Sequence, residues 1–214
     1  IAHGQHYQSQ IDPNTGRIYR LKSRAAELNT STDLSILSSD QLIEHLAHPN
    51  KWHRQTAVRL LGKIRNDNLT KKLIEWIKDK KNHYALGGLW ALHQSGKLDE
   101  NLCVQFLQHP YAGIRSWIIR FLGDEKFISA STAIELRKLA QKETHLEVWS
   151  QIASTVQRID GKKSLPVLAE LLARAGDLED PYLPLMYWWA IEKHCQNHST
   201  CLLYTSDAAD DCRC

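Results

Sequence analysis

The chain has 214 residues, of which 43% are hydrophobic and 24% charged, an ordinary globular balance with length enough to bury a core. No run of about 18 apolar residues occurs, which excludes a membrane-spanning helix. The net charge of +3 makes the chain only mildly basic.

The first 22 residues differ from all that follow. Ile11-Asp12-Pro13-Asn14-Thr15-Gly16-Arg17 is a dense turn signal, and Ile18-Tyr19-Arg20-Leu21 after it alternates as a strand does. A single strand is not stable alone. With no partner strands downstream, residues 1–22 read as the remnant of a sheet that lay upstream. Residues 23–37, with Asn29-Thr30-Ser31-Thr32-Asp33, read as a linker.

From Ser38 the pattern becomes helical and repeats. The stretch from His48-Pro49 through Arg54, Arg59 and Leu61-Gly62 recurs without a gap as His109-Pro110, Arg115, Arg120 and Leu122-Gly123, 61 residues on. A weaker unit lies between the two copies, so the basic period is about half that offset, the signature of a stacked helical array. In each copy the proline stops one helix and the next begins after a turn. Apolar residues then recur at spacings of three and four, and the closing Gly62 or Gly123 reads as a left-handed C′ residue.

This grammar predicts five helix pairs over residues 38–195. The first joins Asp40 to Ala47, capped by Ser38 or Ser39, with Lys51 to Arg65. The second joins Asn68 to Lys80 with Asn82 to Ser95, and the third Asp99 to Gln108 with Tyr111 to Leu122. The fourth joins Ser131 to Lys142 with His145 to Ile159, and the fifth Ser164 to Ala175 with Pro181 to about His194. The expected fold is all-α, an α-α superhelix preceded by the remnant β-strand. Units of about 30 to 35 residues that lack the tetratricopeptide tryptophan pattern are better described as HEAT-like.

Seven tryptophans fall in this array, mostly on the second helices of the pairs. Trp52, Trp90, Trp117, Trp149 and Trp188 are candidates either for filling the space between stacked helices or for an aromatic binding surface. Arg54 and Arg115 occupy one position of the repeat, as do Arg59 and Arg120. A guanidinium there suits a carboxylate or helix-end carbonyl of a neighbouring unit. His48 and His109 read as imidazolium groups finishing a helix at its negative end.

Two histidine groups raise a metal hypothesis. His45, His48 and His53 lie close in sequence, but Pro49 breaks the helix between them; the second, His194-Cys195 through His198 and Cys201, runs into an anomalous tail. Neither spacing matches a zinc site, so no metal is expected. Cys103 sits in an apolar pattern as a small buried hydrophobe. Lysines and arginines make the first half basic, but Glu75 and Asp79 interrupt the run and later units are acidic, which argues against nucleic acid. No dinucleotide, Walker, nucleophile-elbow or zinc-protease motif occurs, so catalytic and cofactor-binding residues are expected to be absent.

Residues 196–214 read as a disordered tail. From Cys201 to Asp210 they resemble a translated adapter of the kind left at the ends of assembled sequence, and are set aside as a scar. The tail holds three of the five cysteines, one arginine and three aspartates, so without it the net charge rises from +3 to +5.

Three local patterns together resemble one family. Asp12-Pro13-Asn14-Thr15-Gly16-Arg17-Ile18-Tyr19-Arg20-Leu21 is similar to the last propeller strand of membrane-bound dehydrogenases of the sugar or sorbosone type. His48 to Arg54 resembles the HEAT-like unit that follows that propeller, and Asp180 to Ala190 a segment near the end of the same region. The resemblance implies an exported, periplasmic or membrane-associated parent whose propeller carries the chemistry, with a quinone cofactor and haem c. None of that family's catalytic positions, and no Cys-x-x-Cys-His haem motif, lie in these residues. The expectation is a non-catalytic interaction or spacer module whose partner is the propeller, a cytochrome domain or another protein. The alternatives are a free-standing protein-binding scaffold and, third, a nucleic-acid binder.

Overall fold

The computed structural model describes residues 33–79, 83–173 and 180–203, with side chains of the last helix through Cys195. The chain divides into two units, residues 1–33 and 34–214, and every element below belongs to the second. The expected remnant strand and most of the linker lie outside the described residues.

Among the described residues the structure is all-helical, with ten α-helices and no strand. A turn of 3-10 helix, Leu34–Ile36, precedes α1, Ser39–His45. Leu34 is buried in the core, so the helical unit begins four residues before Ser38 and takes in the end of the expected linker. The Ser38 side chain accepts from the Gln41 backbone N–H while the Gln41 side chain accepts from the Ser38 N–H, a reciprocal cap that fixes the start of α1.

There follow α2, Lys51–Leu61, α3, Asp67–Lys78, α4, Ala85–Gln94, α5, Glu100–Phe106, and α6, Ala112–Asp124. Asn50, Asn66 and Asp99 cap α2, α3 and α5 through side-chain oxygens. The second half contains α7, Ala130–Lys142, α8, Leu146–Val156, α9, Gly161–Leu172, and α10, Leu183–Leu203.

Several boundaries depart from expectation: α2 ends at Leu61 rather than Arg65, α4 starts at Ala85 rather than Asn82, and α8 ends at Val156 rather than Ile159. α9 starts at Gly161, so Ser164 lies inside the helix, buried, with its hydroxyl 2.9 Å from His194 Nε2. α10 continues to Leu203, past Cys201, where the sequence pattern breaks.

A single apolar core runs from Leu34 to Ala190. In the first three pairs α1 packs on α2, α3 on α4 and α5 on α6, while α2, α4, α6, α8 and α10 each pack on the next in that order. This arrangement is compatible with an α-helical solenoid. The fourth unit departs from a simple hairpin: α7 packs chiefly on α9, and α8 on α6, α9 and α10.

Ion pairs tie residues about one repeat apart: Lys72 to Asp40, Lys97 to Asp67, Arg158 to Asp124 and Arg137 to Glu170. All involve partly exposed groups, where one pair contributes about 0–1 kcal/mol, so they set register more than stability.

Gly62 and Gly123 are not left-handed caps. Gly62 has φ −62° at the C-cap of α2, and Gly123 lies within α6. Both mark places where the following second helix comes close. A Cβ on Gly62 would stand 2.6 Å from Gln94 Cβ in α4, and one on Gly123 2.9 Å from Thr155 Oγ1 in α8. The repeated glycine is therefore a packing notch.

Replacing either by alanine should cost stability even though alanine gains about 1 kcal/mol of intrinsic helix preference over glycine. The expected net loss in urea denaturation is about 1–3 kcal/mol, the range for overpacking a tight contact. A rise in stability for Gly62→Ala and Gly123→Ala would refute the notch.

Candidate functional site

The duplicated arginine has one geometry in both copies. Arg54 Nη1 donates to the carbonyls of His48 and Pro49, at 2.7 and 2.8 Å, and Arg115 Nη1 to those of His109 and Pro110, at 2.7 and 3.0 Å. Each guanidinium thus closes the loop that leads into its own helix.

The histidine before each proline completes the loop. His48 Nδ1 accepts from Asn50 N–H and His109 Nδ1 from Tyr111 N–H. Both rings thus serve the loop that follows them rather than the end of the helix before them. His109 then donates from Nε2 to the carbonyl of Ile77, at the end of α3, joining two units through a buried hydrogen bond of 2.9 Å.

Beyond the loop the two arginines diverge. Arg115 Nε and Nη2 form a fork on Glu143, at 2.7 and 2.8 Å, and the Glu143 carboxylate also accepts from the backbone N–H groups of Thr144 and His145. The Glu143 side chain is 2% exposed. Burial alone would raise its carboxyl, but the hydrogen bonds from Arg115, His145 and Thr144 and the Arg115 charge outweigh it and hold the group below the ordinary carboxylate range. At Arg54 no carboxylate among the described residues meets Nε or Nη2, and the guanidinium lies over the Tyr84 ring, 5.5 Å from its centre.

Arg54 opens onto a groove of about 740 Å³ that runs across α2, α4 and α6. Trp90 and Trp117 meet edge to face in its wall, 5.2 Å apart, and His93 stacks on Phe121 at 3.8 Å. Burial lowers the pKa of His93, against the raising influence of Glu125 and Asp124, which favours a neutral ring in this wall. The Trp90 indole N–H is buried there without a hydrogen-bond partner.

Of the candidate residues, Arg54, Trp90 and Trp117 therefore share one site. Arg120 lies behind it, its guanidinium 5.1 Å from the Trp117 ring centre and 3.8 Å from Asp124. Arg59 and Trp52 are exposed on α2, and Trp52 meets His53 edge-on. Trp149 is core, and Trp188 is exposed on α10. Lys51, Tyr84, His93 and Phe121 also line the groove but carry no distinguishing sequence signal.

The three neighbouring histidines do come together. His45, His48 and His53 stack with ring centres 5.6, 5.7 and 3.9 Å apart. Stacked rings hold their nitrogens in near-parallel planes, and among the described residues no group of three His, Cys, Asp or Glu side chains is placed to hold a metal ion. At the other candidate cluster, His194 Nε2 lies 2.8 Å from the Val156 carbonyl and Cys195 is exposed. Cys103 is buried, and that burial, with Asp99, Glu100 and Glu125 nearby, pushes its thiol up to about 12, which disfavours the thiolate.

Neither a family model, nor a curated protein, nor a solved structure matches this chain.

Two measurements follow from the geometry. Arg115→Met strands Glu143 in the interior and should cost about 3–5 kcal/mol, as for a broken buried pair. Arg54→Met strands no carboxylate and should cost about 1–3 kcal/mol, the value of hydrogen bonds from a charged donor; urea denaturation ranks the two. Because Glu143 in the folded chain titrates below the ordinary glutamate value of 4.5, the pair's contribution is full above that pH and is lost as pH falls through the folded value.

His53 titrates below 6.5, through desolvation first and then the charges of His48 and His45. A base with a lowered folded pKa loses stability as pH falls from 6.5 through the folded value. In an NMR titration the His53 ring should therefore have a midpoint under 6.5, and His48→Gln should move it upward.

Proposed function

We propose that residues 34–203 form a HEAT-like array that acts as a docking and spacing module, with chemistry housed elsewhere in a larger protein. The observation that carries this reading is the use made of the duplicated polar residues. His48, His109, Arg54 and Arg115 spend their hydrogen bonds on the loops and on neighbouring units, as parts of a scaffold do. What remains open is a groove across successive second helices, the surface that stacked helical repeats present to partners.

The resemblance of residues 12–21, 48–54 and 180–190 to the dehydrogenase family supplies the larger protein: an exported propeller enzyme in which this array spaces the propeller from a following electron-accepting domain, or docks a partner. A quinone cofactor and haem c would belong to those other parts. Nucleic acid is the weaker reading, because Lys72, Lys97, Arg137 and Arg158 are committed to carboxylates about one repeat away.

The test is twofold. The coding region upstream of Ile1 should encode propeller strands, and a free-standing open reading frame there would remove the dehydrogenase parent. The 214-residue chain itself should not oxidise sugars or alcohols with an added quinone, and measurable turnover would overturn the spacer reading.

A further inference from the structure

Accepting that the array is a docking module, its two copies of one arginine specify what the groove holds. At Arg115 the fork of Nε and Nη2 is filled by the Glu143 carboxylate. At Arg54 the same Nη1 contacts to the loop are made, yet no carboxylate among the described residues meets Nε or Nη2. The acid at the C-cap of α3, the place Glu143 holds at the C-cap of α7, is the shorter Asp79, and no ion pair among the described residues joins it to Arg54. The first copy therefore keeps the arginine in its loop-closing pose, with no carboxylate among the described residues bonded to its fork.

The surroundings of that fork fit an incoming group. Among the residues lining the groove, Lys51 and Arg54 are permanent cations and none is Asp or Glu. Trp90, Trp117 and Phe121 supply an aromatic wall, and Tyr84 stands beside the guanidinium. A volume of about 740 Å³ admits a short peptide segment of a few side chains.

We propose that this groove binds an acidic peptide segment of a partner protein, in which a Glu or Asp carboxylate takes the Arg54 fork as Glu143 takes that of Arg115, and an adjacent apolar or aromatic side chain packs on Trp90 and Trp117. Arg54 selects the carboxylate by bidentate geometry, and Lys51 at the rim adds attraction. Nothing here requires a phosphate.

The test is selection of a displayed random heptapeptide library on the full chain at low salt. The expected outcome is enrichment of peptides with Asp or Glu next to an apolar or aromatic residue. Their synthetic forms should lose about 10-fold or more in affinity when the acid is amidated, as for removal of a charge-assisted hydrogen bond. They should weaken similarly on Arg54→Met. Because Arg54 also closes a loop, Lys51→Glu, at an exposed position, serves as a second variant that leaves folding intact and should also weaken them.

Selected peptides that bind regardless of their acidic residue would overturn the carboxylate assignment while leaving the docking module standing. Failure to recover any peptide sensitive to either variant would overturn both. A single-stranded DNA oligonucleotide that displaces the peptides and binds more tightly through Arg54 would replace the acidic peptide with a phosphate ligand.

Discussion

The structure depends on a loop clasp: one guanidinium donating to two successive carbonyls just before the helix that carries it. Those carbonyls follow a helix end, where backbone acceptors have no intrahelical donor. A proline in the loop provides no N–H of its own. The arginine supplies the missing donors, and the preceding histidine accepts the first N–H of the new segment. Because the clasp fixes where each second helix begins, it also fixes which residues of that helix face the core and which face the groove.

The clasp is also where one unit is joined to the next. His109 reaches back to the end of α3, and Arg115 reaches forward to Glu143 at the end of α7. Repeat proteins are stabilised by such nearest-neighbour interfaces as much as by the units themselves. A buried pair is costly to assemble but far costlier to halve, since the stranded partner cannot be rehydrated. Glu143, with its four hydrogen bonds, holds its unit in register for that reason.

Much of this was legible in the sequence, and the misreadings share a cause. The helices of the first three pairs follow from apolar spacing, and the 61-residue echo singles out Arg54 and Arg115 before any coordinates. The glycines misled because their position at a helix end fits a left-handed cap as well as a close contact, and only the distance to Gln94 or Thr155 separates the two. Ser164 reads in sequence as the start of its helix, but α9 begins at Gly161 and the serine hydroxyl is turned inward to His194. The tryptophans could not be sorted at all, because one stripe serves the core at Trp149 and the groove at Trp90 and Trp117.

The groove itself follows from a break in the repeat. Where α2 meets α4, and α6 meets α8, a glycine on one helix lets the next approach closely, so those pairs are in extensive contact. Helix separation is set by the side chains at the contact. Between α4 and α6 the facing positions hold rings: Trp90 against Trp117, and His93 against Phe121. Contact between these two helices is correspondingly sparse. Rings in place of a notch hold α4 and α6 apart at one step, and the opening lies beside Arg54, whose fork meets no carboxylate among the described residues. A uniform array would have closed both features; the irregularity of the second unit creates the cavity and leaves a cation to define what enters it.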